Sequence, residues 1–287
     1  DAVEMPVMFV ARLADLKAYV QVSLDGPDPG TNDPIRGVGT FDKIIAGIDL
    51  LLAHGFGPRM RLFVALTQQS IGRARRLVDY ADDRGIDSIY FSQLNNQGRA
   101  KSVWNQLAPT TAQWVRFGTD FLRLKPHRTE VRGNVFGGLD VTRGLFPRMR
   151  CEIPSAPRID CVGNVYPCQL FVEAEHRIGN IRKESLSEIL NGSRVRELAD
   201  RCSARSREID RCKSCKWRTL CHSGCPGHAY SDFGTLTHED SLCDVRLYWF
   251  EAGARKILGL PPPEIPVDAP LDDGAENGAT VIRLPVV

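Results

Sequence analysis

The sequence predicts an α/β fold whose parallel sheet lies in the N-terminal half, followed by a small cysteine-rich domain in the C-terminal half. Apolar, strand-like runs alternate with helical periods up to about residue 126, whereas all nine cysteines lie between Cys151 and Cys243. Strands that alternate with helices favour right-handed βαβ units and therefore a parallel sheet. A chain of 287 residues is long enough to bury a sizeable core and to form two domains.

The first half contains three strand candidates, and each is followed by a helical pattern. The strands are predicted at 19–24, 61–66 and 88–92, and the helices at 39–53, 71–84 and 110–124.

The second half contains short elements around its cysteines. A turn at Val162-Gly163-Asn164 within alternating residues predicts a β-hairpin. Ser185 and Glu188 form a capping-box pattern for a helix through Leu190. Residues 194–218 are basic but interleaved with acids, which predicts a solvated helix. A helix at 247–258 closes this part, and a Pro-, Asp- and Gly-rich tail follows.

The composition excludes several classes of protein. A net charge of +2 provides no strong attraction for nucleic acid. No apolar run approaches the roughly 18 residues that a membrane span needs. There is no apparent signal peptide, and the cysteines stand at metal-ligand spacings. We therefore expect a cytoplasmic metalloprotein that binds neither nucleic acid nor membrane.

Seven of the cysteines form one spacing pattern. It reads C151-x11-G163-x4-C168, then C212-x2-C215-x5-C221-x3-C225, and then C243 after seventeen more residues. Two cysteines separated by two residues can place both sulfurs on one metal centre, in zinc sites and in iron–sulfur sites alike. Spacing alone does not select the metal. A zinc ribbon stops at four ligands, however, and seven thiols exceed one site.

This arrangement resembles the SPASM domain, the C-terminal extension of many radical S-adenosylmethionine (SAM) enzymes that holds auxiliary iron–sulfur clusters. The resemblance covers residues 151–243 and implies a SPASM domain at 151–253 with two auxiliary 4Fe-4S clusters. The matching positions would place Cys212, Cys215, Cys221 and Cys243 on one cluster. Cys151, Cys168 and Cys225 would hold the other.

Two cysteines lie outside this pattern. Cys161 precedes the turn of the predicted hairpin, and its sulfur either completes the second cluster or faces the core as a small hydrophobe. Cys202 lies in the arginine-rich helical stretch and is interpreted as a bystander.

A second resemblance lies upstream. Ser23-Leu-Asp-Gly26 followed by residues 32–37 is similar to the fourth strand and following loop of the radical SAM barrel. The resemblance implies that residues 1–126 form the C-terminal part of a partial (β/α)6 barrel, with a bridge at 127–150. It also implies that Ser23 and Arg36 bind SAM through its methionyl carboxylate, a task that suits a guanidinium. The alternative is a plain strand-to-turn junction with a solvated Arg36.

The radical SAM resemblance lacks one part. Members bind their catalytic cluster with a C-x3-C-x2-C loop, and this chain has no cysteine before Cys151. Half of a barrel would also leave a parallel strand edge unpaired. We therefore expect the chain to be part of a longer enzyme, inactive alone, with residues 254–287 as a helix end and flexible tail. The alternative is a degenerate family member.

The resemblance implies a function for the longer enzyme. SAM and a third 4Fe-4S cluster would provide a 5′-deoxyadenosyl radical that abstracts hydrogen from a peptide or protein, with flavodoxin or ferredoxin as electron donor. Sulfatase-maturing members carry Asp where this chain has Gln169, after Cys168, which favours another peptide maturase. Two alternatives remain: an inactive SPASM module that binds peptide or relays electrons, and a structural zinc protein.

Overall fold

The computed structural model describes residues 7–133, 151, 153–154 and 156–266. Among them, residues 7–133 form one compact unit and those from 151 to 263 form another. The predicted tail from residue 267 onward and the predicted bridge from residue 134 to 150 lie outside the described residues. No helix in the described ranges is both long and apolar enough to cross a membrane.

The first unit is built around a parallel sheet, as predicted. Its strands follow the order β1-β2-β3-β4, and every neighbouring pair is parallel. Its elements are α1 (Val7–Asp15), β1 (Val20–Ser23), α2 (Pro29–Arg36), α3 (Thr40–Ala53), β2 (Met60–Leu66), α4 (Ala74–Asp83), β3 (Ser88–Gln93), α5 (Trp104–Leu107), α6 (Thr111–Phe121) and β4 (Glu130–Gly133).

The core of this unit follows the two-residue period of its central strand. Along β2 the residues alternate between fully and partly buried, and Leu62, Val64 and Leu66 are completely inaccessible. Burial of each such side chain stabilises the fold by about 1.5–3 kcal/mol. The apolar pattern that predicts the strand is therefore also the pattern that forms the core.

Four elements of this unit were not predicted from the sequence: α1, α2, α5 and β4. The helix α2 begins after Asp28, whose side chain accepts a hydrogen bond from the Thr31 N–H, and Pro29 occupies its first turn. The strand β4 is short and mostly exposed, so it has no apolar signature. It is positioned instead by Asp82, whose carboxylate accepts three backbone N–H groups from residues 127–129.

Helix α6 provides a prediction about stability. The Thr110 hydroxyl accepts from the Gln113 N–H at 3.2 Å, and the Gln113 side chain accepts from the Thr110 N–H at 3.0 Å. We expect Thr110→Ala to lower the free energy of unfolding by about 1 kcal/mol because it leaves a helix donor without its cap. Urea unfolding followed by circular dichroism measures this, and Thr110→Ser should restore most of the loss.

The second unit has a small antiparallel sheet and short helices around its cysteines. Its sheet follows the order β5-β6-β7, which confirms the predicted hairpin, and the Ser185–Glu188 capping box begins α7 as predicted. Its elements are β5 (Arg158–Ile159), β6 (Asn164–Tyr166), β7 (Gly179–Asn180), α7 (Leu186–Leu190), α8 (Ser193–Glu208), α9 (Asp210–Lys213), α10 (Arg218–Cys221), α11 (Pro226–Phe233) and α12 (Cys243–Ile257).

Helix α8 exposes most of its basic residues, as predicted, but Arg205 is an exception. Arg205 is only 1% exposed. Its guanidinium donates hydrogen bonds to the backbone oxygens of Leu236, Gly224 and His238, at 2.7, 3.3 and 2.8 Å. Hydrogen bonds of this kind offset the cost of burying its charge. One arginine of the charged run therefore fastens α8 to the loops that carry the cysteines.

Candidate metal centre

Four cysteines surround one cavity in the second unit. The cavity has a volume of about 430 Å³, and its lining includes Cys212, Cys215, Cys221 and Cys243. Cys212 lies in α9, Cys215 follows that helix, Cys221 ends α10 and Cys243 begins α12. Three short helix ends therefore bring together the four thiols that the SPASM resemblance assigns to one cluster.

Basic groups lie around the same cavity. Arg211, Lys216 and Arg246 line it, and Lys216 Nζ is 2.7 Å from Glu251 Oε2. Burial raises the pKa of Cys243 to about 12, although Arg211 and Arg246 act in the opposite direction. Guanidinium groups near a thiol favour its thiolate, and the thiolate is the metal-binding form. Four basic side chains and two acidic ones, Glu239 and Glu251, line the cavity, so its excess of positive charge suits an anionic guest.

The buried Arg246 tests whether the lining fits such a guest. Burial alone would lower its pKa, but the Asp240 carboxylate and the Cys221 sulfur more than reverse this, so the pKa is raised. Its Nε is buried and has no hydrogen-bond partner in the part of the chain that the structure describes. The sulfur atoms of an iron–sulfur cluster are hydrogen-bond acceptors. The lining therefore fits a cluster.

A single zinc ion requires a different geometry. It needs about four ligand atoms in a tetrahedron, with sulfurs at roughly 2.3 Å from one point. Within the described ranges, no group of three or more His, Cys, Asp or Glu side chains is arranged to hold one metal ion. The four thiols line one cavity of about 430 Å³.

A second group of thiols lies near the start of α11. Cys225 interacts electrostatically with Cys151, and Cys202 interacts with both Cys225 and Cys168. Burial raises the pKa of Cys225 to about 12, although the backbone N–H groups of His228 and Gly227 donate to its sulfur. The three cysteines predicted for the second cluster are therefore joined by a fourth.

The loop from Cys221 to Cys225 separates the two groups. His222, Ser223 and Gly224 have φ values of 49°, 69° and 68°, all in the left-handed region. Three such residues in succession reverse the chain tightly, and this conformation is costly for residues other than glycine. As a result, Cys221 lines the cavity while Cys225 belongs to the other group.

A buried ion pair contacts the loop from Cys221 to Cys225. Asp240 pairs with Arg246, and both side chains are at most 2% exposed. Asp240 Oδ2 also accepts a hydrogen bond from the Cys225 N–H at 2.7 Å, while Arg246 lines the cavity of the other group. The pair therefore contacts the backbone of Cys225 on one side and lines the cavity of the first group on the other.

The two cysteines outside the spacing pattern differ in their surroundings. Cys161 is exposed on the hairpin, so the core alternative is wrong. Cys202, interpreted as a bystander, lies among the second group of thiols. A periodic signal was present in the sequence: Val195, Leu198, Cys202 and Arg205 share one face of α8, and three of these four side chains are buried.

The predicted SAM-binding residues lie at the end of β1 and of α2. Ser23 is the last residue of β1, and Arg36 ends α2 with its Nε 2.8 Å from Asp25 Oδ2. Asp25 also accepts from the Ala65 N–H at 2.8 Å, and burial raises its pKa even though Arg36 favours the charged form. Arg36 is therefore part of the folded turn, and the alternative of a solvated loop residue is wrong.

The comparisons with known proteins agree with this architecture. Residues 151–216 match the SPASM family model, described as an iron–sulfur cluster-binding domain. The fold is similar to that of anSMEcpe with bound AdoMet, with a TM-score of 0.63 and 19% identity over 90% of this chain and 72% of that chain. Residues 151–216 therefore match an iron–sulfur cluster-binding domain, and the parallel sheet with the unit that follows has the fold of this AdoMet-bound structure.

Several of the relatives are maturases. Mycofactocin maturase MftC of Mycobacterium ulcerans is 29% identical over 222 residues, which cover 75% of this chain and 58% of the relative. The cysteine-type anaerobic sulfatase-maturating enzyme of Clostridium novyi is 31% identical over 99 residues, which cover 34% of this chain and 26% of the relative. The structure of Streptococcus suis SuiB bound to precursor peptide SuiA matches with a TM-score of 0.60 and 17% identity, over 84% of this chain and 57% of SuiB. The chain spans about half the length of the curated relatives that it matches.

Proposed function

We propose that this chain is part of a cytoplasmic radical SAM/SPASM enzyme that modifies a peptide or protein substrate. The observation that carries the proposal is the cavity lined by four thiols and by buried Arg246. These thiols hold one auxiliary 4Fe-4S cluster, and Cys151, Cys168 and Cys225 hold a second. The match to an iron–sulfur cluster-binding domain over residues 151–216 supports this assignment.

The SAM-binding role belongs to the first unit. Ser23 and Arg36 are proposed to bind the methionyl carboxylate of SAM through a hydroxyl and a guanidinium. The side chain of Arg36 is 28% exposed while Asp25 fixes its Nε, so the guanidinium is held in place and partly accessible. An arginine held in this way loses less entropy when it binds a carboxylate.

When a third 4Fe-4S cluster and SAM are bound in the longer enzyme, they supply a 5′-deoxyadenosyl radical, which abstracts hydrogen from the substrate. The residues of the cysteine-rich unit then hold clusters that accept or pass an electron, and flavodoxin or ferredoxin is the proposed donor. The basic lining of the first cavity and the buried Arg246 favour the more reduced, more negative state of the cluster they surround.

The substrate is proposed to be a peptide, and not a sulfatase. Gln169 is exposed directly after Cys168, at the position where the sulfatase-maturing members carry an aspartate. An amide does not accept a proton at neutral pH, so it cannot serve as the general base. The similarity to mycofactocin maturase over three quarters of the chain supports a peptide-maturing role.

Anaerobic reconstitution tests the cluster assignment. The 287-residue chain is loaded with iron and sulfide, and iron, sulfide and zinc are then measured together with the charge-transfer absorption of thiolate-bound iron. We expect about eight irons and eight sulfides per chain, as two 4Fe-4S clusters require. Stoichiometric zinc without sulfide would show that the site is a structural zinc site.

A separate experiment tests the enzyme assignment. A longer protein is prepared in which a C-x3-C-x2-C segment precedes this chain. It is reduced in the presence of SAM, and the 5′-deoxyadenosine that forms is measured. We expect product in the protein with the segment and none after its cysteines are replaced by alanine. Clusters without 5′-deoxyadenosine would instead identify an electron-relay or peptide-binding module.

A further inference from the structure

Helix α8 presents one buried face to the cysteine-rich loops. Leu198 packs with Phe171 and Leu236, and both Cys168 and Cys202 pack against that cluster. Cys202 lies four residues after Leu198 and three residues before Arg205, so the three side chains share one face of the helix. The Cys202 thiol therefore points toward the segment that carries Cys168.

Arg205 fixes the same face of α8 against the Cys221–Cys225 loop. Its Nη1 lies 3.3 Å from the carbonyl oxygen of Gly224, the residue that precedes Cys225. Because Cys202 lies one turn before Arg205, this contact holds Cys202 beside Cys225. The packing of Cys168 and Cys202 against the same apolar cluster agrees with that placement.

We propose that Cys202 is the fourth ligand of the second auxiliary cluster, together with Cys151, Cys168 and Cys225. This inference rests on the proposed function, because it names a residue that completes a site assigned there. As a fully thiolate-coordinated centre, the second cluster has no open iron at which a substrate could bind, so it serves electron transfer. Cys202 loses its proton to solvent when it binds iron, as thiol ligands do.

Cys161 is the competing candidate for the fourth ligand. It is exposed on the hairpin, and its carbonyl oxygen accepts a hydrogen bond from Arg182 Nη2 at 3.3 Å. Cys202, in contrast, is partly buried and packs together with Cys168 against one apolar cluster. The structure therefore distinguishes the two cysteines by their surroundings.

The test compares Cys202→Ala with Cys161→Ala in the full 287-residue chain, loaded anaerobically. Iron per chain, Mössbauer spectra and electron paramagnetic resonance spectra of the reduced clusters are recorded with and without added cyanide. Cyanide is the probe because it binds an iron that lacks a protein ligand. Circular dichroism establishes that each variant is folded, and Cys202→Ser is a second variant of conserved size.

For Cys202→Ala we expect the second cluster to contain one spectrally distinct iron that responds to cyanide, or the chain to lose about one iron. Wild-type chain and Cys161→Ala should both be insensitive to cyanide. Unchanged spectra for Cys202→Ala and Cys202→Ser, or a cyanide response that appears in Cys161→Ala instead, would overturn the inference. Wild-type chain that binds no iron would overturn the proposed function itself, so the two failures are distinguishable.

Discussion

Replacement of Cys215 by alanine is expected to remove about four irons and four sulfides per chain, which is half of the proposed content. Cys215 lines the cavity and follows α9, where it is only partly buried. The substitution therefore removes a ligand without opening a large gap in the core. Cys215 does not belong to the second group of thiols, so the second cluster should remain. The spectrum of the variant should then be that of the second cluster alone.

The neighbouring Ser214 provides the matched control. It is exposed and lies in the same turn, but it does not line the cavity. Ser214→Ala should retain full iron content and an unchanged spectrum. If Cys215→Ala also retained all of its iron, or lost all of it, the division of the thiols into two independent groups would be wrong.

The fold of the first unit could be predicted where burial determines the residue type. The central strand β2 is buried on a strict two-residue period, so its apolar residues predict it directly. By contrast, β4 is paired on one edge of the sheet but mostly exposed, and Asp82 fixes its approach by accepting three backbone N–H groups. A tertiary hydrogen bond of that kind leaves no periodic pattern in the sequence.

The candidate site was predictable only in part, for a similar reason. Regular cysteine spacing indicates thiols that a family places together, and the structure brings Cys212, Cys215, Cys221 and Cys243 to one cavity. Cys202 has no such spacing, and charged neighbours surround it in the sequence. Its position follows from the burial of Arg205, which three carbonyl oxygens from distant loops make possible.

Gly224 occupies the point where the two groups of thiols meet, and Gly224→Ala should be among the most destabilising single substitutions in this unit. Its φ of 68° costs an alanine about 1–2 kcal/mol. An added Cβ would also overlap the Arg246 guanidinium and the Asp240 carboxylate. Both groups are buried, and Asp240 is held by the backbone N–H groups of Cys225 and Leu242, so they can move only by breaking these bonds.

Gly234 separates the two causes, because its φ of 69° is nearly the same but nothing lies within 4 Å of an added Cβ. Gly234→Ala should therefore cost the backbone strain alone. Disruption of a buried ion pair adds about 3–5 kcal/mol, so Gly224→Ala should exceed Gly234→Ala by roughly that amount in urea unfolding. Iron retention provides a second measurement, since the pair contacts the backbone of Cys225 and lines the cavity of the other group, and only Gly224→Ala should lose iron from both. Equal stability and equal iron content in the two variants would show that the Asp240–Arg246 pair does not support the loop between the clusters.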